Sequence, residues 1–212
     1  MPRNVLQKLP RSIIYPITSG KTNSLNILSL VRAAVEAEIP LFQIREKSLP
    51  ARELYELTSR AAEITRGSKT RLLVNDRADI ARAAGADGVH LTSQSLPADV
   101  VRNMFGSEFL IGVSTHSLDE SRAARNGGAD FVVFGPIFET ESKLEYGPPV
   151  GLEALGRVNS EAQIPVLALG GINERNFRQA LEAGAAGIAG ISMFSEAGDL
   201  ERLVKTIRNS RG

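Results

Sequence analysis

Gln43, Arg45 and Lys47 stand at alternate positions, and they are the first residues of this chain whose types and spacing suggest chemistry. In an extended segment, successive side chains point to opposite faces, so the amide and the two cations share one face while Ile44 and Glu46 take the other. Two cations side by side suit a di- or polyanion. Asn75-Asp76 sets a carboxylate next to an amide, a hard oxygen pair suited to Mg2+. The same dipeptide also starts turns, and Asp76 is a candidate N-cap for a helix beginning near Arg77. Thr140, Ser142 and Lys143 place two hydroxyls and an ammonium within four residues, inside the long connection 134–149, which is suited to closing over a ligand. Gly170-Gly171 and Gly190-Ile191-Ser192 offer backbone N–H groups that an anion can approach closely. The two histidines are His90 and His116. His116 is placed either for acid-base work near neutral pH or to cap a helix starting at Ser117, and the spacing of the pair suggests neither a Ser-His-Asp arrangement nor a metal-binding pair.

Short apolar runs must carry these residues. Eight of them, 13–18, 41–45, 71–75, 88–92, 110–114, 131–135, 165–169 and 187–192, alternate with segments of helical period such as 25–38, 50–65, 118–126, 174–183 and 199–208. Strands separated by helices of this length run parallel. Eight units predict a closed (β/α)8 TIM barrel, an α/β fold, as one domain over residues 1–212 with 1–11 as an N-terminal extension. An open doubly wound sheet is the alternative, but no Gly-x-Gly-x-x-Gly turn follows the first run. The joints Ala84-Gly85-Ala86-Asp87, Gly127-Gly128-Ala129-Asp130 and Ala183-Gly184-Ala185-Ala186 lead from helix into strand. They belong to the barrel face opposite the chemistry. The polar residues named above then all fall at the C-terminal strand ends, where the βα loops of a barrel build a site.

The composition narrows the partners. With 25 basic and 24 acidic residues, no global field points to nucleic acid or an anionic membrane, so anion recognition must be local. The absence of cysteine removes disulfides, thiolate metal sites and a cysteine nucleophile. With no signal-type apolar core after Arg3 and Lys8, and no run of eighteen apolar residues, a soluble cytoplasmic protein is expected. Homo-oligomerisation is left open.

Together the motifs resemble the thiamine-phosphate synthase family. They are Gln43-Ile44-Arg45-Glu46-Lys47, Val74-Asn75-Asp76-Arg77-Ala78-Asp79, Gly85-Ala86-Asp87-Gly88-Val89-His90-Leu91, Gly112-Val113-Ser114-Thr115-His116-Ser117, Phe134-Gly135-Pro136-Ile137-Phe138-x-Thr140-x-Ser142-Lys143 and Ala168-Leu169-Gly170-Gly171-Ile172, in family order. The resemblance implies an enzyme that joins a hydroxymethylpyrimidine diphosphate to a thiazole phosphate, releasing diphosphate, with Mg2+ as cofactor and small phosphorylated molecules as its partners. It implies that Gln43, Ile44, Arg45, Glu46, Lys47, Asn75, Ser114 and Lys143 surround the pyrimidine diphosphate, with Arg45, Lys47 and Lys143 catalytic. It further implies that Thr140, Ser142, Gly171, Ile191 and Ser192 receive the thiazole phosphate and that Asp76 ligates the metal. Two positions depart from the family pattern. Ser95 stands where a second acidic metal ligand is usual, and Ser142 where threonine is. The related thiazole tautomerases, which isomerise a thiazole carboxylate phosphate without metal, are the rival resemblance, with His116 as the proton-transfer group. A barrel that binds a thiamine precursor without turning it over is the non-enzymatic alternative.

Overall fold

The computed structural model describes residues 12–21, 23–140, 148–195 and 197–211. The expected extension 1–11, and Ser142 and Lys143, lie outside the described residues. Each of the eight apolar runs forms a strand, the fifth extending one residue past its run: Ile13–Pro16 (β1), Leu41–Ile44 (β2), Arg71–Asn75 (β3), Gly88–Leu91 (β4), Leu110–Thr115 (β5), Phe131–Phe134 (β6), Val166–Ala168 (β7) and Gly187–Gly190 (β8). All pair in parallel, in the order β1-β8-β7-β6-β5-β4-β3-β2. The ladder between β1 and β2 is short for a reason legible in the chain. Ile13 and Ile17 donate their N–H groups to Ala186 and Gly190 on the β8 side, which turns even-numbered N–H groups toward β2. Pro16 has none to give. The seam is closed instead at its C-terminal end, by an Ile17–Gln43 bridge, by Thr18 N–H to the Gln43 carbonyl (3.0 Å) and by Arg45 N–H to Thr18 Oγ1 (2.7 Å). The result is a nearly closed barrel of the predicted α/β class.

The helices between strands are Ser24–Glu36 (α1), Ala51–Thr65 (α2), Ala78–Ala83 (α3), Ala98–Phe105 (α4), Leu118–Asn126 (α5), Gly151–Glu161 (α6), Phe177–Glu182 (α7), Ser192–Ser195 (α8) and Leu200–Arg208 (α9). In α2 the buried positions Leu54, Leu57, Thr58, Ala61, Ala62 and Thr65 follow the helical period, which turns one stripe onto the sheet. Asn23, Ser117 and Asp199 cap α1, α5 and α9 by accepting from the N–H three residues on. Two expected boundaries move. The last strand stops at Gly190 and Ser192 begins α8, so Ser192 is a helix-start residue and not a strand end. The seventh crossover helix begins only at Phe177, because Asn173 Oδ1 takes Arg175 N–H (2.9 Å) and Asn176 Oδ1 takes Asn173 N–H (2.8 Å), holding 173–176 as a turn.

The expected helix-to-strand joints are present, with Gly85, Gly128 and Gly184 in left-handed conformation. Their aspartates have a role of their own: Asp87 accepts from Leu72 N–H (2.8 Å) and Asp130 from Ile111 N–H (2.7 Å), each tying a strand start to its neighbour. Asp130 also pairs with Arg102 at 2.8 Å.

Two apolar layers follow from strand alternation. Phe42, Ile44, Leu72, Val74, Val89 and Val132 face the helices. Ile13, Tyr15, Leu41, Leu73, Phe131 and Val133 belong to the cluster that fills the barrel. Gly112 faces inward beside this second cluster, where a Cβ would stand 2.5 Å from Phe131 Cζ and 2.7 Å from His90 Nδ1. Gly112→Ala is therefore expected to destabilise the fold by about 2 kcal/mol through overpacking, read as a lower urea midpoint at unchanged slope.

Candidate active site

A file of hydrogen-bonded polar side chains crosses the upper barrel interior. Gln43 Nε2 on β2 donates to the Tyr15 hydroxyl of β1 at 2.9 Å. Tyr15 meets His90 Nδ1 of β4 at 3.4 Å, and His90 Nε2 meets Ser114 Oγ of β5 at 2.9 Å. One tautomer runs the file in a single direction: with its proton on Nε2, His90 accepts from the Tyr15 hydroxyl at Nδ1 and donates to Ser114 Oγ. In that tautomer the Ser114 proton is left to be offered at the barrel mouth. Burial raises the Tyr15 phenol well above its ordinary range, against the donation from Gln43. Burial likewise pushes the His90 imidazole down to about 4, with nearby Asp76 acting upward and Arg45 downward. Arg45 and Asp76 thus act on the same ring from neighbouring strand ends.

Asp76 follows β3 with φ +61°, a left-handed backbone that costs a non-glycine residue about 1 kcal/mol. It does not cap the next helix as the sequence allowed: α3 begins at Ala78 with Arg77 at the cap position, and Arg77 grips Asp79 instead (2.9 and 2.6 Å). The Asp76 carboxylate turns toward the mouth, accepting from Asn75 Nδ2 (2.6 Å), Thr92 Oγ1 (3.1 Å) and Ser95 Oγ. Ser95 in turn accepts from Thr92 N–H at 2.6 Å. The buried Asn75 Oδ1 has no partner among the described residues. Asp76, the two hydroxyls and this orphaned oxygen form a hard, all-oxygen donor set of the kind Mg2+ takes, with one carboxylate where one or two are usual. Among the described residues no three acidic, histidine or cysteine side chains gather into a metal cluster.

The alternation that places Gln43, Arg45 and Lys47 on one face holds only while the chain is extended, and β2 ends at Ile44. Gln43 is buried in the interior and Arg45 is half-buried. Lys47 is exposed and lines a cavity of about 310 Å³ shared with Ile44, Glu46, Asn75, Asp76 and Arg77. Ile44 packs in the outer core, and buried Glu46 accepts Gly20 N–H at 3.2 Å, anchoring the loop after β1.

On the far side of the mouth, Gly170 and Gly171 lie under the segment after β6. A Cβ on Gly170 would stand 2.5 Å from Pro136, and one on Gly171 2.4 Å from the Glu139 carbonyl, with both residues at positive φ. Their smallness positions the approach to Thr140, which is half-buried. Ile191 packs on the interior cluster, and Ser192 opens α8, whose first N–H groups have no intrahelical acceptor. His116 does not cap α5; Ser117 does, by accepting from Glu120 N–H. The exposed His116 ring meets the Gly135 carbonyl through Nδ1.

The profile of the family described as Thiamine monophosphate synthase matches residues 14–194. The chain belongs to this family. Thiamine-phosphate synthase of Moorella thermoacetica is 42% identical over 189 residues, 87% of this chain and 90% of that protein. The enzyme of the same name from Pelotomaculum thermopropionicum is 39% identical over 211 residues, covering 97% and 95%. Among solved structures, thiamine phosphate pyrophosphorylase from Pyrococcus furiosus superimposes with a TM-score of 0.81 at 34% identity, covering 94% of this chain and 95% of that one. Of the residues in the motifs read from the sequence, Gln43, Asn75, Asp76 and Ser114 lie at neighbouring strand ends, while Ser142 and Lys143 lie outside the described residues. Tyr15, which holds Gln43, escaped the sequence reading, and Thr92 was legible there only as a polar strand-end residue, not as a partner of Asp76. The signal for Tyr15 was its phase: it alternates with Ile13 and Ile17 and is the one polar tip in that inward stripe.

Proposed function

We infer that the chain is a thiamine-phosphate synthase, joining 4-amino-2-methyl-5-hydroxymethylpyrimidine diphosphate to a thiazole phosphate with release of diphosphate. The observation that carries this reading is the convergence of Gln43, Asn75, Asp76 and Ser114 at one strand-end cluster flanked by Arg45 and Lys47, neither of which has an ion-pair partner among the described residues. Unpaired cations at a barrel mouth, one of them half-buried, serve a bound polyanion better than they serve stability.

Ser114, its lone pair engaged by His90, donates to an acceptor atom of the pyrimidine, while Gln43 is locked by Tyr15 as the second polar contact. Arg45, Lys47 and Lys143 stabilise the charge that collects on the diphosphate as its C–O bond breaks and the bonding electrons leave with it. The thiazole nitrogen then attacks the pyrimidine methylene carbon with its lone pair. Thr140, Ser142 and the backbone of Gly171, Ile191 and Ser192 hold the thiazole phosphate within reach. Asp76, with Ser95, Thr92 and Asn75 Oδ1 beside it, would hold Mg2+, which supplies further charge neutralisation on the diphosphate oxygens. We place this reaction in the cytoplasm. No described helix is long and apolar enough to cross a membrane.

Thiazole tautomerase chemistry is the second reading, favoured by the exposed ring of His116 at the mouth and by the missing acid at Ser95. His116→Ala separates the two. If the chain is the synthase, output of thiamine phosphate falls by no more than about five-fold, the worth of one lost hydrogen bond near 1 kcal/mol. Isomerisation of thiazole carboxylate phosphate that collapses in His116→Ala, with no coupling in the unaltered chain, would make this a tautomerase.

A further inference from the structure

Asp76 already has both carboxylate oxygens engaged by neutral donors, two of them hydroxyls on the same oxygen. A cation reaching that oxygen must first have Ser95 and Thr92 turn their protons away and offer lone pairs instead. It would also meet too little negative charge. Glu46, the other acid lining the adjoining cavity, is buried with Oε1 accepting Gly20 N–H, and Ser95 is neutral. Arg45 and Lys47 stand at the neighbouring strand end without ion-pair partners among the described residues and offset the charges of Asp76 and Glu46, so a bare divalent ion meets little net negative charge. A diphosphate reverses this balance, because it neutralises the cations and brings its own oxygen ligands.

We propose that this chain has no standing metal site: it takes its divalent cation as one unit with the diphosphate, and Ser95 holds Asp76 closed until the pair arrives. The proposal rests on the reading of this mouth as a diphosphate site. By linkage, metal and diphosphate must then raise each other's affinity by the same factor. The Ser95→Asp variant supplies the missing charge and converts the position into a site that a cation can occupy alone.

Equilibrium dialysis of the full chain against Mn2+, against inorganic diphosphate and against both, with the metal and phosphorus retained by the protein measured separately, tests this without turnover. The unaltered chain is expected to retain Mn2+ at least about ten-fold more tightly when diphosphate is present, and diphosphate more tightly by the same factor when Mn2+ is present. Asp76→Asn should lose that mutual gain, which keeps the test decisive should Ser95→Asp fold poorly. Ser95→Asp should retain Mn2+ alone at least about ten-fold more tightly than the unaltered chain. Equal Mn2+ retention with and without diphosphate overturns the proposal while leaving the diphosphate site standing. Retention of no diphosphate under any condition overturns the site reading and the proposal together.

Discussion

Asp76→Asn will lower kcat/KM for thiamine phosphate formation by about 100- to 1,000-fold while shifting the thermal midpoint by only a few degrees. Asparagine is among the few residues that tolerate φ +61°, and it preserves the outline of the side chain, so the turn after β3 survives. What disappears is the negative charge. Asp76→Ala should lose turnover to the same extent and in addition about 1 kcal/mol of stability, because alanine has no local compensation in the left-handed region. Steady-state kinetics beside urea unfolding of the two variants separates these effects. Equal losses of stability and turnover in Asp76→Asn would mean that the carboxylate serves the fold and not the reaction.

Acid will weaken this fold through His90. The ring is 3% exposed and titrates at about 4 in the barrel, against about 6.5 in an unfolded chain. A folded value below the unfolded one means that the unfolded state binds the extra proton first, so this contribution is complete above pH 6.5 and drains away as pH falls toward 4. Between about 6.5 and about 4, at 1.36 kcal/mol per pH, this corresponds to about 3 kcal/mol. Carboxylates add their own acid sensitivity, so the comparison is with His90→Gln, which keeps a polar side chain in the file but cannot titrate. The unaltered chain should lose about 3 kcal/mol more than His90→Gln between pH 7 and pH 4 in urea unfolding. Parallel pH profiles of the two proteins would show that the ring accepts its proton without cost and that the file is looser than its geometry indicates.

The fold was legible because its signal is repetition: eight β-branched runs separated by helical segments leave few topologies, and alternation within each run sorts barrel filling from outer packing. Strand ends were harder to read. Ile191 and Ser192 continue an apolar run in sequence, but the chain must turn into α8 after Gly190, and side-chain chemistry alone does not mark that turn. The site was legible at the level of residue types at strand ends. Partnership was not. Lys47 lost its assigned face because alternation stops governing direction where β2 stops. The Thr92 and Ser95 contacts with Asp76 join residues 16 and 19 positions apart across two strand ends, a proximity that only the barrel register creates. The file from Gln43 to Ser114 is of the same kind, built by four strands that each contribute one inward position.

The account stands or falls on bond formation between the two phosphorylated rings. Phosphorus NMR of the chain mixed with the pyrimidine diphosphate, the thiazole phosphate and Mg2+ follows both products at once. Thiamine phosphate and diphosphate rising together in equal amounts, and stopping when excess EDTA is added, is the predicted course; unchanged substrate signals over many hours at micromolar protein would contradict it.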